Sequence, residues 1–238
     1  MSKDIIIRII YDNFTYKADL EANHGFSCLV EIENRKVLFD TGTDGNILLN
    51  NLEKLNINLK TISKVVLSHA HYDHTGGLEK FLERNNNVTV YLLSSFPREI
   101  KQTVLKYNAS LLEVSELMKI NENIYSTGEL GTSIKEQSLI IKSPKGVIVV
   151  TGCAHPGIVD IVKFVKNKFN EKIHLVMGGF HLIGYSEREL IEICGKLKEA
   201  EISKVMPCHC TGELAIEVFK REFSTGYERC GVGRVLKV

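Results

Sequence analysis

Three histidines and an aspartate fall within six positions: His69, His71, Asp73 and His74. They stand directly behind the apolar stretch Val65-Val66-Leu67 and ahead of the pair Gly76-Gly77. Neutral imidazoles and carboxylates are the donors that borderline divalent ions prefer, so the run reads as a metal site. In an extended segment alternate side chains share a side, which would let His69, His71 and Asp73 converge while His74 sits where the chain turns. A histidine-rich polar loop is the bland alternative. Against it, three of the chain's 8 histidines crowd into this run and others recur behind later apolar stretches.

Three more strand-like stretches end in residues able to do chemistry. The first runs into Asp40-Thr41-Gly42, where a carboxylate can ligate a metal or orient a ligating loop. The second runs into Thr151-Gly152-Cys153-Ala154-His155-Pro156-Gly157, with Cys153 and His155 on one side. The third runs into Pro207-Cys208-His209-Cys210-Thr211-Gly212. If residues 204–211 are extended and His209 faces the site, Cys208 and Cys210 point away. They would then be small buried residues, or part of a second metal centre with Cys230 or Cys28. His181, after Gly178-Gly179-Phe180, is placed to line the same cleft as ligand or substrate contact. His174 and Cys194 read as packing residues, the latter in a helical pattern with Leu190, Ile193 and Leu197.

Short β-branched runs supply the strands that must position these loops. They span residues 5–10, 27–32, 36–39, 64–67, 88–92, 123–126, 138–141, 147–150, 174–177, 204–206 and 234–238, with a hairpin around Asn34. Helical patterns cover 46–55, 78–85, 97–106, 158–168, 187–199 and 213–223. No linker or low-complexity segment interrupts them. The economical reading is a single domain over 1–238, with two strand-rich halves whose sheets pack together under outer helices.

Composition narrows the function classes. The 238 residues carry 30 basic and 29 acidic side chains, a net charge of +1, so no global field favours nucleic acid. Lys163, Lys166, Lys168 and Lys172 alternate with apolar residues as the solvated face of a helix does. The opening segment, with Arg8 breaking its apolar run, reads as a strand rather than a trafficking or membrane-spanning segment. Six cysteines without such a segment point to the reducing cytoplasm. A small-molecule substrate and no membrane are expected, and the sequence leaves the oligomeric state open.

The HxHxDH run at His69, His71, Asp73 and His74, with Asp40 at the end of a preceding strand, resembles the metallo-β-lactamase superfamily. The resemblance spans nearly the whole chain through His155 and His209. It implies an α/β fold, a four-layer αββα sandwich of two mixed β-sheets flanked by helices, usually with two metal ions at one edge. The strings at His24-Gly25-Phe26-Ser27, 151–157, 178–182 and His209-Cys210-Thr211-Gly212 resemble a narrower group. That group is related to the 7,8-dihydropterin-6-methyl-4-(β-D-ribofuranosyl)aminobenzene-5′-phosphate synthase of methanopterin biosynthesis. The chain departs from the wider pattern in one respect: the strand-end aspartate that commonly bridges the metals is absent, and Cys153 or His181 stands nearest its place.

The resemblance implies a metal-dependent hydrolase acting on a small phosphate ester or diester. His69, His71 and His155 would hold one ion and Asp73, His74 and His209 a second, zinc ahead of iron and manganese, with water as nucleophile. Asp73 would also orient that water, Asp40 and Cys153 would ligate or support, and His24 and His181 would contact the substrate. Two rivals remain: an iron–sulfur redox protein using Cys153, Cys208, Cys210 and Cys230, and a pterin-related synthase on the same fold.

Overall fold

Strand β1 (Ile5–Tyr11) buries all its side chains but those of Ile6 and Arg8, which are half-buried, and pairs antiparallel on both sides, with β2 (Ser27–Ile32) and with the C-terminal β13 (Val235–Lys237). The computed structural model describes residues 4–238, so the first three residues of the opening segment lie outside it. By contacts the chain forms two compact units. One comprises the described residues up to Ser115 with Gly231–Val238, the other Glu116–Cys230.

In the first unit β2 turns back into β3 (Arg35–Phe39) through the expected hairpin, with Glu33 taking a left-handed φ of 54°. Beyond β3 the sheet becomes parallel: β4 (Ile62–Val66), β5 (Thr89–Leu93) and β6 (Ser110–Val114) follow in order. The full order is β13-β1-β2-β3-β4-β5-β6, a mixed sheet of seven strands. Parallel neighbours need crossovers. Helix α1 (Gly45–Lys54) lies in the first, α2 (Tyr72–Thr75) and α3 (Leu78–Arg84) in the second, and α4 (Arg98–Lys106) in the third. Asp44 starts α1 by accepting from the Asn46 N–H at 2.7 Å. The buried Asn51 on its inner face ties the helix to the chain around it. Its amide donates to the carbonyls of Ile10 and Glu21 and accepts from the Glu21 N–H.

The second unit carries a mixed sheet of six strands in the order β12-β11-β10-β9-β8-β7. Strands β7 (Met118–Lys119), β8 (Ile124–Ser126), β9 (Leu139–Ser143) and β10 (Gly146–Thr151) form an antiparallel run. Strands β10, β11 (Ile173–Gly179) and β12 (Lys204–Cys208) are parallel. Helices α5 (Ile158–Phe169), α6 (Glu187–Glu199) and α7 (Glu213–Phe223) bury Ile161, Val165, Leu190, Leu197 and Phe219 in one cluster with the sheet residues Val149, Val176 and Val205. Helix α6 begins with a reciprocal cap between Ser186 and Glu189, the Ser-x-x-Glu pattern visible in the sequence. Cys194 lies in this cluster, as its spacing predicted. The α/β class with two mixed sheets and flanking helices is therefore the observed fold. No helix among the described residues is long and apolar enough to cross a membrane.

Candidate metal centre

In the first unit two parallel strand ends meet through a buried aspartate. The Asp40 N–H donates to the Val66 carbonyl at 2.9 Å, holding the end of β3 beside the end of β4. Asp40 is fully buried at a left-handed φ of 56°. Its carboxylate accepts from the Ser68 N–H and the Ser68 hydroxyl, each at 2.7 Å, and contacts His74 Nδ1 at 2.7 Å. Since the Ser68 hydroxyl donates to Asp40, its oxygen accepts from His69 Nδ1 at 2.9 Å. Both His69 and His74 then carry their ring proton on Nδ1 and present Nε2 as a lone pair. Asp40 thus sets the tautomer of two imidazoles without being needed as a ligand.

The segment from His69 to His74 is not extended. Strand β4 stops at Val66, His71 caps α2, and Asp73 and His74 lie within that single helical turn. Strand parity is therefore not what brings the donors together; the turn of helix is. His69 Nε2 stands 3.1 Å from His71 Nδ1, the His69 and His74 rings are 4.2 Å apart, and His74 Nε2 is 3.6 Å from Asp73 Oδ2. His24, exposed on the loop before β2, reaches Asp73 Oδ2 at 3.2 Å. Gly25 next to it has no room for a side chain, since a Cβ would lie 2.5 Å from the Asp73 carbonyl.

In the second unit the ends of three adjacent parallel strands carry the remaining donors, as the C-terminal ends of such strands do in layered α/β folds. The register sets Thr151 beside Gly178 and Gly179 beside Cys208. The Thr151 hydroxyl donates to the Gly179 carbonyl at 2.7 Å, and the Phe180 N–H donates to the Thr211 hydroxyl at 3.1 Å, so the three loops are stitched side by side. Cys153 is the hub. Its sulfur lies within 4.8 Å of donor atoms of His155, of His209, and of His181 and Cys210. The His155 and His181 rings are 4.4 Å apart.

Parity also fails after β12. The strand ends at Cys208, His209 turns through a left-handed φ of 50°, and residues 209–211 form a helical turn. Cys210 consequently joins Cys153 and His181, while Cys208 groups with Cys230. The four thiols proposed for an iron–sulfur cluster fall into two sets. The Cys210 thiol is pulled down to about 4, chiefly by a hydrogen bond from Cys153, against burial and with help from His181 and the field of His209. As a thiol it would donate to the Cys153 carbonyl 3.8 Å away; as a thiolate it accepts instead, and those charge-assisted bonds are the stronger ones.

Glu136 escaped the sequence reading. It is buried, and its carboxylate accepts the N–H groups of Gly152, Cys153 and Ala154 on Oε1 at 3.0, 2.9 and 2.9 Å, and that of His155 on Oε2 at 2.9 Å. Four successive amides wrapped around one carboxylate fix the loop that carries Cys153 and His155. Nothing in Lys135-Glu136-Gln137 distinguishes this glutamate from a surface charge beside a strand.

Comparison with known proteins decides the family. A model of the metallo-β-lactamase superfamily matches residues 21–133. An uncharacterized protein of Methanocaldococcus jannaschii, MJ0448, is 34% identical over 89% of this chain and 92% of its own. The solved structure of Tm1679, a metal-dependent hydrolase of the β-lactamase superfamily, superposes with a TM-score of 0.83 at 32% identity, covering 98% of this chain and 99% of that one. The chain belongs to the metallo-β-lactamase superfamily. A second M. jannaschii relative, the 7,8-dihydropterin-6-methyl-4-(β-D-ribofuranosyl)-aminobenzene-5'-phosphate synthase, is 29% identical over 98% of this chain and 96% of its own. For a member of this superfamily the local chemistry is apt. The first unit offers three imidazole nitrogens and a carboxylate oxygen, and the second offers further imidazoles beside thiols. That donor set suits zinc or another borderline divalent ion.

Proposed function

We propose that the protein is a metal-dependent hydrolase of a small phosphate ester or diester. His69, His71, Asp73, His74, His155 and His209 are the proposed ligands of a dinuclear centre, with zinc ahead of iron and manganese. The observation that carries this reading is the Asp40–Ser68 relay, which leaves His69 and His74 with Nε2 lone pairs beside His71 and the Asp73 carboxylate. Superfamily membership supports it.

When bound, such ions supply Lewis acidity toward water and toward the substrate's oxygen. The chain's own side chains do the rest. Asp40 keeps two imidazoles in the ligating tautomer, and Glu136 holds the loop of His155 rigid. Asp73, whose Oδ2 lies between His74 Nε2 at 3.6 Å and His24 Nε2 at 3.2 Å, orients the attacking water. His24, exposed and tethered by that contact, meets the substrate. Six cysteines without a disulfide support a reducing compartment, the cytoplasm, as its place of work.

Hydrolysis of a chromogenic phosphodiester by metal-loaded protein tests the reading. His71→Ala and Asp73→Ala should each abolish turnover in a folded protein. Retention by either variant of more than about a tenth of the activity would remove that residue from the ligand set, because even an outer partner's loss costs 10–100-fold. The similarity to the pterin-related synthase over nearly the whole chain supports a second reading, bond formation on a pterin-bearing substrate. Product analysis separates the two.

A further inference from the structure

Beside the His155 loop the second unit holds a cavity of about 260 Å³, bounded by the start of α5, the segment that follows β11, and α6. His155 and His181 line one part of it, their rings 4.4 Å apart and inclined by 54°. The other lining side chains are apolar or aromatic. Ile158, Phe180 and Leu182 are buried members of the core cluster, Val159 and Ile193 are half-buried, and Tyr185 is exposed. Val159 and Ile193 stand just off the stripes that their helices bury, Ile158, Ile161, Val162 and Val165 on α5 and Leu190, Cys194 and Leu197 on α6. Two apolar side chains at those half-exposed places keep the cavity wall free of polar groups. We infer that this cavity receives an aromatic ring carried by the substrate, which makes the substrate class a phosphate ester bearing an aryl group. The phosphate end of that statement rests on the hydrolase reading above; the ring end rests on the cavity alone.

Size, chemistry and rigidity agree on a ring. An apolar cavity of about 150 Å³ is enough to take up benzene, so this one holds a single ring with room for a substituent or a second fused ring. No Lys, Arg, Asp or Glu is among the described residues that line it. A charged group placed there would lose its water without gaining a partner. Three of the lining side chains, His155, His181 and Tyr185, are themselves rings, and tilted or offset contacts between rings add to what the buried area supplies. The shape is set by the chain itself. The Tyr185 N–H donates to the Leu182 carbonyl at 3.3 Å across a turn whose third residue, Gly184, has a φ of 91°, the sign that a type II turn demands there. A Cβ at Gly184 would meet nothing within 4 Å, so conformation rather than space calls for glycine. The turn leaves Leu182 buried and Tyr185 at the mouth, and the Ser186–Glu189 cap starts α6 at the next residue. Ahead of the turn, Phe180 is held by the bond from its N–H to the Thr211 hydroxyl.

Two sets of ligands separate this inference from the hydrolase reading. Phenol alone, at millimolar concentration and without added metal, should shift the methyl resonances of Val159, Leu182 and Ile193 in the full-length protein. Ile193→Trp, at a half-buried position, should fill the cavity and abolish the shifts at Val159 and Leu182. Wild-type resonances that phenol leaves unmoved, or shifts that persist unchanged in Ile193→Trp, overturn the inference. The second set needs no variant. On zinc-loaded wild type, calorimetry should find phenylphosphonate bound about tenfold or more tighter than methylphosphonate, with cyclohexylphosphonate between them. Equal affinity for the phenyl and methyl compounds would overturn the inference, and a cyclohexyl compound bound as tightly as the phenyl one would overturn the aromatic class. If no phosphonate binds while the phenol shifts stand, the phosphate-ester reading fails and the ring site survives it.

Discussion

Replacing Glu136 by glutamine removes one charge and one acceptor and changes almost nothing in shape, so it isolates what the buried carboxylate does. In its better orientation the amide oxygen keeps the three N–H groups now on Oε1, and its NH2 is turned toward the His155 N–H, donor against donor. Hydrogen bonds to a charged group contribute about 1.5–3 kcal/mol each and neutral ones about 0.5–1.5. Three weakened bonds and one lost one therefore sum to roughly 4.5–7.5 kcal/mol. Bonds sharing one acceptor group are not additive, and a neutral amide is less costly to bury than a carboxylate. We expect a net loss of about 2–4 kcal/mol, a large part of the ~5–15 kcal/mol that holds a typical fold. For a chain of this length each kcal/mol moves the melting temperature by about 2–4 °C. Glu136→Gln should thus melt roughly 5–15 °C below wild type by calorimetry. Glu192→Gln, exposed on α6, should stay within about 0.5 kcal/mol. A Glu136→Gln protein that melts within about 2 °C of wild type would refute the claim that this carboxylate organises the 152–155 loop.

Asp40→Asn should lower zinc affinity of the folded protein by about 10–100-fold in competition with a chromophoric chelator, because the tautomers of His69 and His74 lose their common acceptor; unchanged affinity would count against the Asp40–Ser68 relay. Cys194, whose thiol is pushed up to about 12 by burial first and the Glu222 charge second, should resist alkylation at pH 8 in native protein and react only after unfolding, as read by peptide mass spectrometry. His174 has its pKa lowered, first by burial and then by Lys145, Lys204 and Lys172. Below its ordinary value of 6.5 the unfolded chain takes up that proton more readily than the folded one, so this histidine costs stability as pH falls through 6.5 and downward. His174→Gln should flatten the fall in denaturation midpoint on that acid side and leave the midpoint at pH 8 unchanged; an identical slope would exclude His174.

The elements with long apolar patterns were legible, and the failures have a common cause. Strand β2 and helices α6 and α7 lie over the spans their periodicity predicts. Strand β6 did not announce itself, because Ser110 and Glu113 are exposed and Leu111 and Leu112 only partly buried, which gives no clean alternation. The HxHxDH run offered metal-donor side chains by residue type, while the extended conformation assumed for it was wrong, since α2 begins at Tyr72. Residue type carries donor chemistry in the sequence; backbone direction at a strand end does not. The same gap put Cys210 on the wrong side and hid Glu136, whose partners lie 16 to 19 positions away.

What the sequence could not display is a shared device at four strand ends. Asp40 after β3, Ala154 after β10, His181 after β11 and His209 after β12 all adopt left-handed backbone, with φ between 50° and 57°. None is glycine, so each carries a conformational cost on the order of 1–2 kcal/mol. A left-handed residue breaks strand parity abruptly, and here it turns the chain off the sheet within one or two residues of a donor side chain. Glycine would make the same turn at lower cost in the folded state, but at three of the four positions it would delete the polar side chain itself, a carboxylate or an imidazole. Ala154 is the exception, and there the turn is held by Glu136, which accepts the Ala154 N–H and those on either side of it. Strain of this kind persists only where surrounding contacts over-determine the backbone. The buried carboxylates of Asp40 and Glu136 are those contacts in the two units, each closing a loop whose donor geometry would otherwise relax.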